Sequence, residues 1–151
     1  MTENIWMTDL TKKAFQIAYE AHKNQMDKMG MPYILHPIIV AEGMETEYGI
    51  AAALLHDVVE DTEVTLESLK EQGIPEAVLE AVSVLTRDRD MLYEEYIRQV
   101  SRHPLARLVK RQDLLHNLSP TRYEAGEVGE QHRKRYQKAL QIIEEAIEKD
   151  I

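Results

Sequence analysis

Apolar residues recur along this chain at spacings of three and four, the period of a helix buried on one face. Leu10, Ala14, Ile17, Ala18 and Ala21 form such a stripe behind Thr8-Asp9, a pair suited to capping, and predict a helix to about Asn24. "MDKMGMPYI" breaks the pattern with Gly30 and Pro32. Pro37 suits a first helical position, and a residue before proline is biased out of the helical region, so a helix is expected over 38–46 with His36 at its cap. "YGI" leads into a helix over about 51–60, and Thr65 with Ser68 starts a short one to Gln72. "GIP" breaks the chain before a helix from Glu76 to about Leu85. Tyr93 to Ser101 and Leu105 to Asn117 follow, separated by "RHP". "EAGEVGE" reads as a flexible joint before a long amphipathic helix, Glu130 to Lys149, with Tyr136, Leu140, Ile143 and Ile147 on one face. No segment alternates as a strand and none repeats. The pattern predicts an all-α bundle of seven or eight helices.

Composition narrows the partners. The 151 residues are 44% hydrophobic and 30% charged, the balance of one globular domain, with a formal net charge of −9. A polyanion is repelled by most of such a surface, so neither nucleic acid nor an anionic membrane is an expected partner. A small anionic substrate still fits where local cations or a metal offset the field. With no cysteine, disulfides and thiolate chemistry are excluded, and any metal must be held by His, Asp, Glu or water. No stretch approaches the length of a membrane span, and "MTENIWMTDL" does not read as a leader, so a soluble cytoplasmic protein is expected.

The chemistry concentrates in "AALLHDVVED", residues 52–61, where a run suited to a core gives way to His56, Asp57, Glu60 and Asp61. On a continuous helix His56 lies over Glu60 and Asp57 over Asp61. The adjacent pair His56–Asp57 can grip a metal ion while Glu60 and Asp61, one turn further along, sit near its open positions, where a carboxylate can orient a water and accept its proton. The plain alternative is a solvated helix end with incidental acids. In "LARLVKRQDLLHNL", residues 105–118, Lys110, Asp113 and Asn117 fall on one face. A charged Asp in such a helix needs a cation, and either a metal or Lys110 itself serves.

Together, "AHKNQ…DKMGMPYILHP", "ALLHDVVEDT" and "LARLVKRQDLLHNLSPTR" resemble the HD-superfamily hydrolase domain of RelA/SpoT proteins, which hydrolyse (p)ppGpp, and more closely its small stand-alone relatives. The resemblance covers roughly residues 10–145. It implies a single HD-domain helical bundle over 1–151, with no synthetase domain expected. It also implies metal ligands at His36, His56, Asp57 and Asp113, with Mn²⁺ the expected ion and Fe²⁺, Co²⁺ or Zn²⁺ acceptable to the same donors. Glu60 and Asp61 match the pair that prepares the attacking water. Asn117 matches a ribose contact, Tyr33 lies in the loop lining the base pocket, and Lys28 matches the second of two basic residues there. One departure stands out. Asp27-Lys28 replaces the family's Arg-Lys, and a carboxylate cannot stack on guanine as a guanidinium does.

The remaining candidates divide between function and packing. Arg87 and Arg89 could reach a phosphate with a bidentate fork, although a surface turn accounts for them equally, and Lys110 could also neutralise phosphate charge. His22, His103 and His116 read as packing or capping residues, and His132 as part of a solvated basic turn. Met26, Met29 and Met31 suit core gap-filling better than a base pocket. The expected function is a Mn²⁺-dependent phosphohydrolase taking a phosphorylated nucleotide, with removal of 3′-pyrophosphate from a (p)ppGpp-like guanosine as the expected reaction. The alternatives are hydrolysis of another nucleotide or phosphate ester, and an alarmone-binding module without turnover. Oligomeric state is left open, a homodimer included.

Overall fold

A computed structural model describes residues 4–122 and 126–150. Eight helices of more than one turn and one single-turn segment account for the regular structure of the described residues, with no strand among them. They are α1 Asp9–His22, α2 Leu35–Glu42, α3 Glu47–Leu55, α4 Val58–Asp61, α5 Leu66–Glu71, α6 Glu76–Leu85, α7 Tyr93–Ser101, α8 Pro104–Asn117 and α9 Gly126–Lys149. A 3₁₀ turn, Pro120–Arg122, follows α8.

Most helix starts follow from local chemistry. Thr8 caps α1 by accepting from the Thr11 N–H at 3.1 Å, and Thr65 caps α5 by accepting from the Ser68 N–H at 3.1 Å. His103 caps α8, its Nδ1 accepting from the Ala106 N–H at 3.1 Å, which is the structural role its place before Pro104 predicts.

The core forms around α3, because a helix apolar on every side must be surrounded. Gly49 to Leu55 are all buried, and α1, α2, α6 and α8 pack against this segment. The outer helix α9 lies across α7 and α8, burying Ala139 and Ile143.

Three boundaries differ from the sequence expectation. The second helix runs over Leu35–Glu42 rather than 38–46, so His36 lies inside it and not at its cap. Its first turn is already nucleated by bonds from Leu35 N–H to Pro32 O and His36 N–H to Tyr33 O. Pro37 is tolerated there, because first-turn N–H groups have no intrahelical acceptor. The helix expected over 51–60 is interrupted at His56 and Asp57, where the ladder tightens to a bond from His56 N–H to Ala53 O. In "EAGEVGE", Glu124 and Ala125 lie outside the described residues, and Gly126 to Glu130 are already helical.

Candidate metal and phosphate site

Four side chains from three segments converge where α2, the α3–α4 junction and α8 meet. Leu35–Glu42 brings His36, the break after α3 brings His56 and Asp57, and α8 brings Asp113. His36 Nε2 lies 2.8 Å from Asp113 Oδ1 and 3.7 Å from Asp57 Oδ2, and His56 Nε2 lies 3.1 Å from Asp57 Oδ2 and 3.5 Å from Asp113 Oδ1. Both histidines and Asp113 are buried, and Asp57 is partly exposed. Gly43, ending α2, leaves room for the side chain of Gln112, so α8 approaches closely beside the cluster.

The imidazoles are oriented for ligation. His56 Nδ1 donates to Ala53 O at 2.5 Å, which leaves Nε2 to face the carboxylates. That Nε2 is buried and has no hydrogen-bond partner despite the nearby oxygens. A divalent cation between these atoms satisfies the orphaned nitrogen and both acids, so the residues fit a metal. His36 Nδ1 meets His116 Nδ1 at 2.7 Å with the two rings stacked. Burial, then His36 and Arg122, push the His116 imidazole down to about 4, so it is neutral at pH 7 and can accept the His36 Nδ1 proton. His116 is indeed a packing residue, and it also sets the tautomer of a candidate ligand.

Electrostatics hold the acids ionised. Burial opposes the charge of Asp113, but Lys110 at 2.8 Å and the two histidines outweigh it and keep the carboxyl well below the usual range. Burial likewise opposes the Asp57 charge, and His56 overcomes it, so this carboxyl is also lowered. His56 in turn is raised well above its ordinary value, burial being outweighed first by Asp57. Tyr33 donates from its hydroxyl to Asp57 Oδ2 at 2.5 Å, and Asn117 Nδ2 donates to Asp113 Oδ1 at 3.3 Å. Both expected nucleotide contacts thus also touch the acid cluster.

Glu60 and Asp61 are exposed at the cluster's mouth, and Asp57, Glu60 and Asp61 each bring a carboxylate oxygen within 4.8 Å of the others. Glu60 Oε1 accepts from the Arg87 N–H at 2.7 Å. Although the residue is exposed, its carboxyl leans into the cavity, and this partial desolvation with the charges of Asp57 and Glu60 pushes Asp61 up to about 6. These acids border a cavity of about 280 Å³, together with Tyr93, Tyr96, Arg87, Lys110, Arg122 and Arg135. Arg87 spends Nε and Nη2 on Met91 O, at 3.1 and 2.9 Å. Arg89 is exposed and lies outside this cavity.

A second cavity of about 250 Å³ adjoins the first, and Tyr33, Asn117, Arg122 and Tyr136 border both. Lys28 lines it, as do Met26 and Met29, which are 58% and 56% exposed and so are not the core fillers their composition predicts. His132 lines it from within α9 rather than from a solvated turn. Asp27 is occupied in its own loop, where its Oδ1 accepts from Met29 N–H at 2.8 Å and Met31 N–H at 3.0 Å around Gly30 at φ +81°. His22, buried at the end of α1, packs its ring 4.9 Å from that of Tyr33. Arg122 and Arg135 were not singled out by the sequence, and His116 read there as a packing residue, because their importance depends on which helix faces them.

An all-helical bundle with a two-histidine, two-aspartate cluster is the architecture of the HD-type metal-dependent hydrolases. Comparison with known proteins leads further, although no protein-family profile matches the chain. The Danio rerio guanosine-3′,5′-bis(diphosphate) 3′-pyrophosphohydrolase MESH1 is 40% identical over 76% of this chain and 71% of its own length. The chain therefore belongs to the MESH1-like family of RelA/SpoT-type HD proteins. An enzyme of that 3′-pyrophosphohydrolase name from Aquifex aeolicus is 36% identical over 71% of this chain, and a probable GTP pyrophosphokinase from Mycobacterium leprae is 35% identical over 76%. The chain spans 17% and 16% of these two longer relatives. The solved structure of a metazoan ortholog of SpoT, described as hydrolysing ppGpp, shares the fold with a TM-score of 0.70 at 23% identity, covering 99% of this chain and 98% of its own. No helix among the described residues is long and apolar enough to cross a membrane.

Proposed function

We propose that this chain, as one HD domain, is a metal-dependent phosphohydrolase that removes pyrophosphate from the 3′ position of a guanosine bis(diphosphate), with Mn²⁺ as its ion. The observation that carries this reading is the buried His36–His56–Asp57–Asp113 cluster with Glu60 and Asp61 at its mouth. Kinship with the MESH1 relative supplies the substrate class. A nucleotide substrate belongs with the cytoplasmic pool.

His36, His56, Asp57 and Asp113 would hold the ion, which would supply Lewis-acid chemistry to the phosphoryl group and to water. Asp61, poised near 6, takes the proton of the attacking water, and Glu60, fixed by the Arg87 backbone, orients that water. An oxygen–phosphorus bond forms from water, the bond from phosphorus to the ribose 3′ oxygen breaks, and the proton held by Asp61 passes to that oxygen, so a 3′ hydroxyl and pyrophosphate are released. Tyr33 steadies Asp57, and His116 steadies His36. Lys28, Met26, Met29 and Asn117 receive the nucleoside in the adjoining cavity. Arg87 and Lys110 contribute positive potential to the phosphate end, while Arg89 has no part in it.

A second reading keeps this chemistry and changes the base, because Asp27 stabilises its own turn and offers no stacking plane. Pyrophosphate release by Mn²⁺-loaded protein from ppGpp, beside a panel of other phosphorylated nucleotides, tests both. Pyrophosphate from ppGpp supports the first reading, and turnover elsewhere in the panel alone supports the second. Tight ppGpp binding with no product anywhere would leave a binding module and overturn both.

A further inference from the structure

A diphosphate ester brings several negative charges into a cavity already walled by Asp57, Glu60, Asp61 and Asp113. One divalent ion cannot offset all of these, so side-chain cations must carry part of the load. Four reach the cavity, and they are not equally free. Lys110 is paired with Asp113 at 2.8 Å, and Arg87 gives two of its donors to Met91 O. Among the described residues Arg122 hydrogen-bonds the neutral His116, Nη1 to Nδ1 at 3.4 Å, and otherwise meets the charge of Asp27 without a close ion pair. Among the described residues Arg135 rests on aromatic faces, its guanidinium carbon lying 4.5 Å from the Tyr93 ring centre and 5.7 Å from that of Tyr136. Neither Arg122 nor Arg135 has an ion-pair partner among the described residues, in a chain with 27 acids against 18 Lys and Arg.

The surroundings sharpen this imbalance. The Tyr93 ring carries a second guanidinium, that of Arg87, at 5.5 Å, so two like charges meet one ring. Such an arrangement is relieved by an anion. The rings hold the Arg135 plane without consuming its N–H donors, and those donors match phosphate oxygens in a bidentate fork. Position divides the work: Arg122 borders both cavities, at the junction of nucleoside and phosphate, whereas Arg135 borders the acid cavity and not the nucleoside cavity.

We infer that Arg135, steadied by Tyr93 and Tyr136, binds the terminal phosphoryl of the substrate's diphosphate and makes the site select a diphosphate over a monophosphate. The inference deepens the proposed function and rests on it for the identity of the substrate, but its test uses inorganic ligands alone. Pyrophosphate and orthophosphate are titrated calorimetrically into the full chain with Mn²⁺ in constant excess. Wild type is expected to bind pyrophosphate more tightly. Arg135→Gln should lose about tenfold to a hundredfold on pyrophosphate, the range of a charge-assisted contact, and no more than about twofold on orthophosphate. Arg135→Lys should recover part of the loss, since an ammonium keeps the charge without the fork. Arg98→Gln, on α7 and facing Glu94, removes the same charge elsewhere and should shift neither ligand. Equal loss on both ligands, no loss on either, a like effect from Arg98→Gln, or no pyrophosphate binding by wild type would each overturn the inference. Failure of ppGpp turnover with this pattern intact would overturn the proposed substrate and leave the clamp standing.

Discussion

Asp61 stands at the mouth of the cavity with its carboxyl pushed up to about 6, first by partial desolvation and then by Asp57 and Glu60. A base must be ionised to accept a proton, and Asp61 gains its charge as pH rises through that value. A bound cation opposes the neighbouring negative charges and moves the titration downward. The specificity constant, kcat/KM, is therefore expected to fall as pH drops through about 6 or somewhat below, and Asp61→Asn should lose about 10²- to 10⁴-fold in rate together with this acid limb. An acid limb that survives in the residual activity of Asp61→Asn would assign the proton to another group. Removing a ligand has a different signature from removing a helper. Asp57→Ala should lose bound metal and activity together, whereas Glu60→Ala should keep its metal and lose most turnover, as metal analysis beside rate measurement will tell. His116→Phe keeps the packing but deletes the acceptor for His36 Nδ1, and about a tenfold to hundredfold weaker metal affinity is expected. Unchanged affinity would reduce His116 to a packing residue.

At the scale of elements, the site depends on α3 being the packed centre of the bundle. Leu54 is fully buried, and truncating it leaves a cavity that neighbours on several sides fill only in part. Leu54→Ala is expected to cost about 2–5 kcal/mol in denaturant unfolding. The break after Leu55 has a function of its own. By turning Asp57 into a cap position of the next segment, it aims both His56 and Asp57 at Asp113 across the bundle. A regular helix would have left those two side chains about 100° apart. The loop between α1 and α2 is likewise built rather than loose, since Asp27 and Gly30 close its turn beneath the nucleoside cavity. Replacing Asp27 with arginine would add a stacking plane and remove two backbone bonds, so a gain in ppGpp hydrolysis requires the loop to survive that loss.

For the whole molecule, metal and proton compete for one place. His56 has a folded value raised above the ordinary 6.5, so its charged form stabilises the metal-free protein fully below about 6.5, and that contribution is lost as pH rises through the raised value. A metal ion at the proposed site would take the place of the proton at Nε2 and supply the charge the acids need at any pH. Apparent Mn²⁺ affinity should therefore increase with pH, and the metal-induced rise in Tm should be larger near pH 8 than near pH 6. At a hundredfold excess over Kd the ion adds about 2.7 kcal/mol to unfolding. A metal-induced shift independent of pH would place the ion away from His56.

Sequence by itself determined the helical class, most helix boundaries and the identity of the acid and imidazole groups. These follow from the 3.6-residue period, from caps such as Thr8 and Thr65, and from charges that interrupt apolar runs at His56-Asp57 and Asp113. It also carried the departure at Asp27, though not its cause. Tertiary structure decided what those groups face. The period along one helix says nothing of the distance to another, so His116 meeting His36 and Tyr33 reaching Asp57 were settled by how α2, α8 and the α3–α4 junction pack, and Met26 and Met29 lining a cavity by how the α1–α2 loop meets α8 and α9. Cations show the same division. Lys110, Arg87 and Arg89 were candidates because they lie near the motifs, whereas Arg122 and Arg135 come from segments that only packing brings to the cavity, where an unpaired charge has meaning through its neighbours.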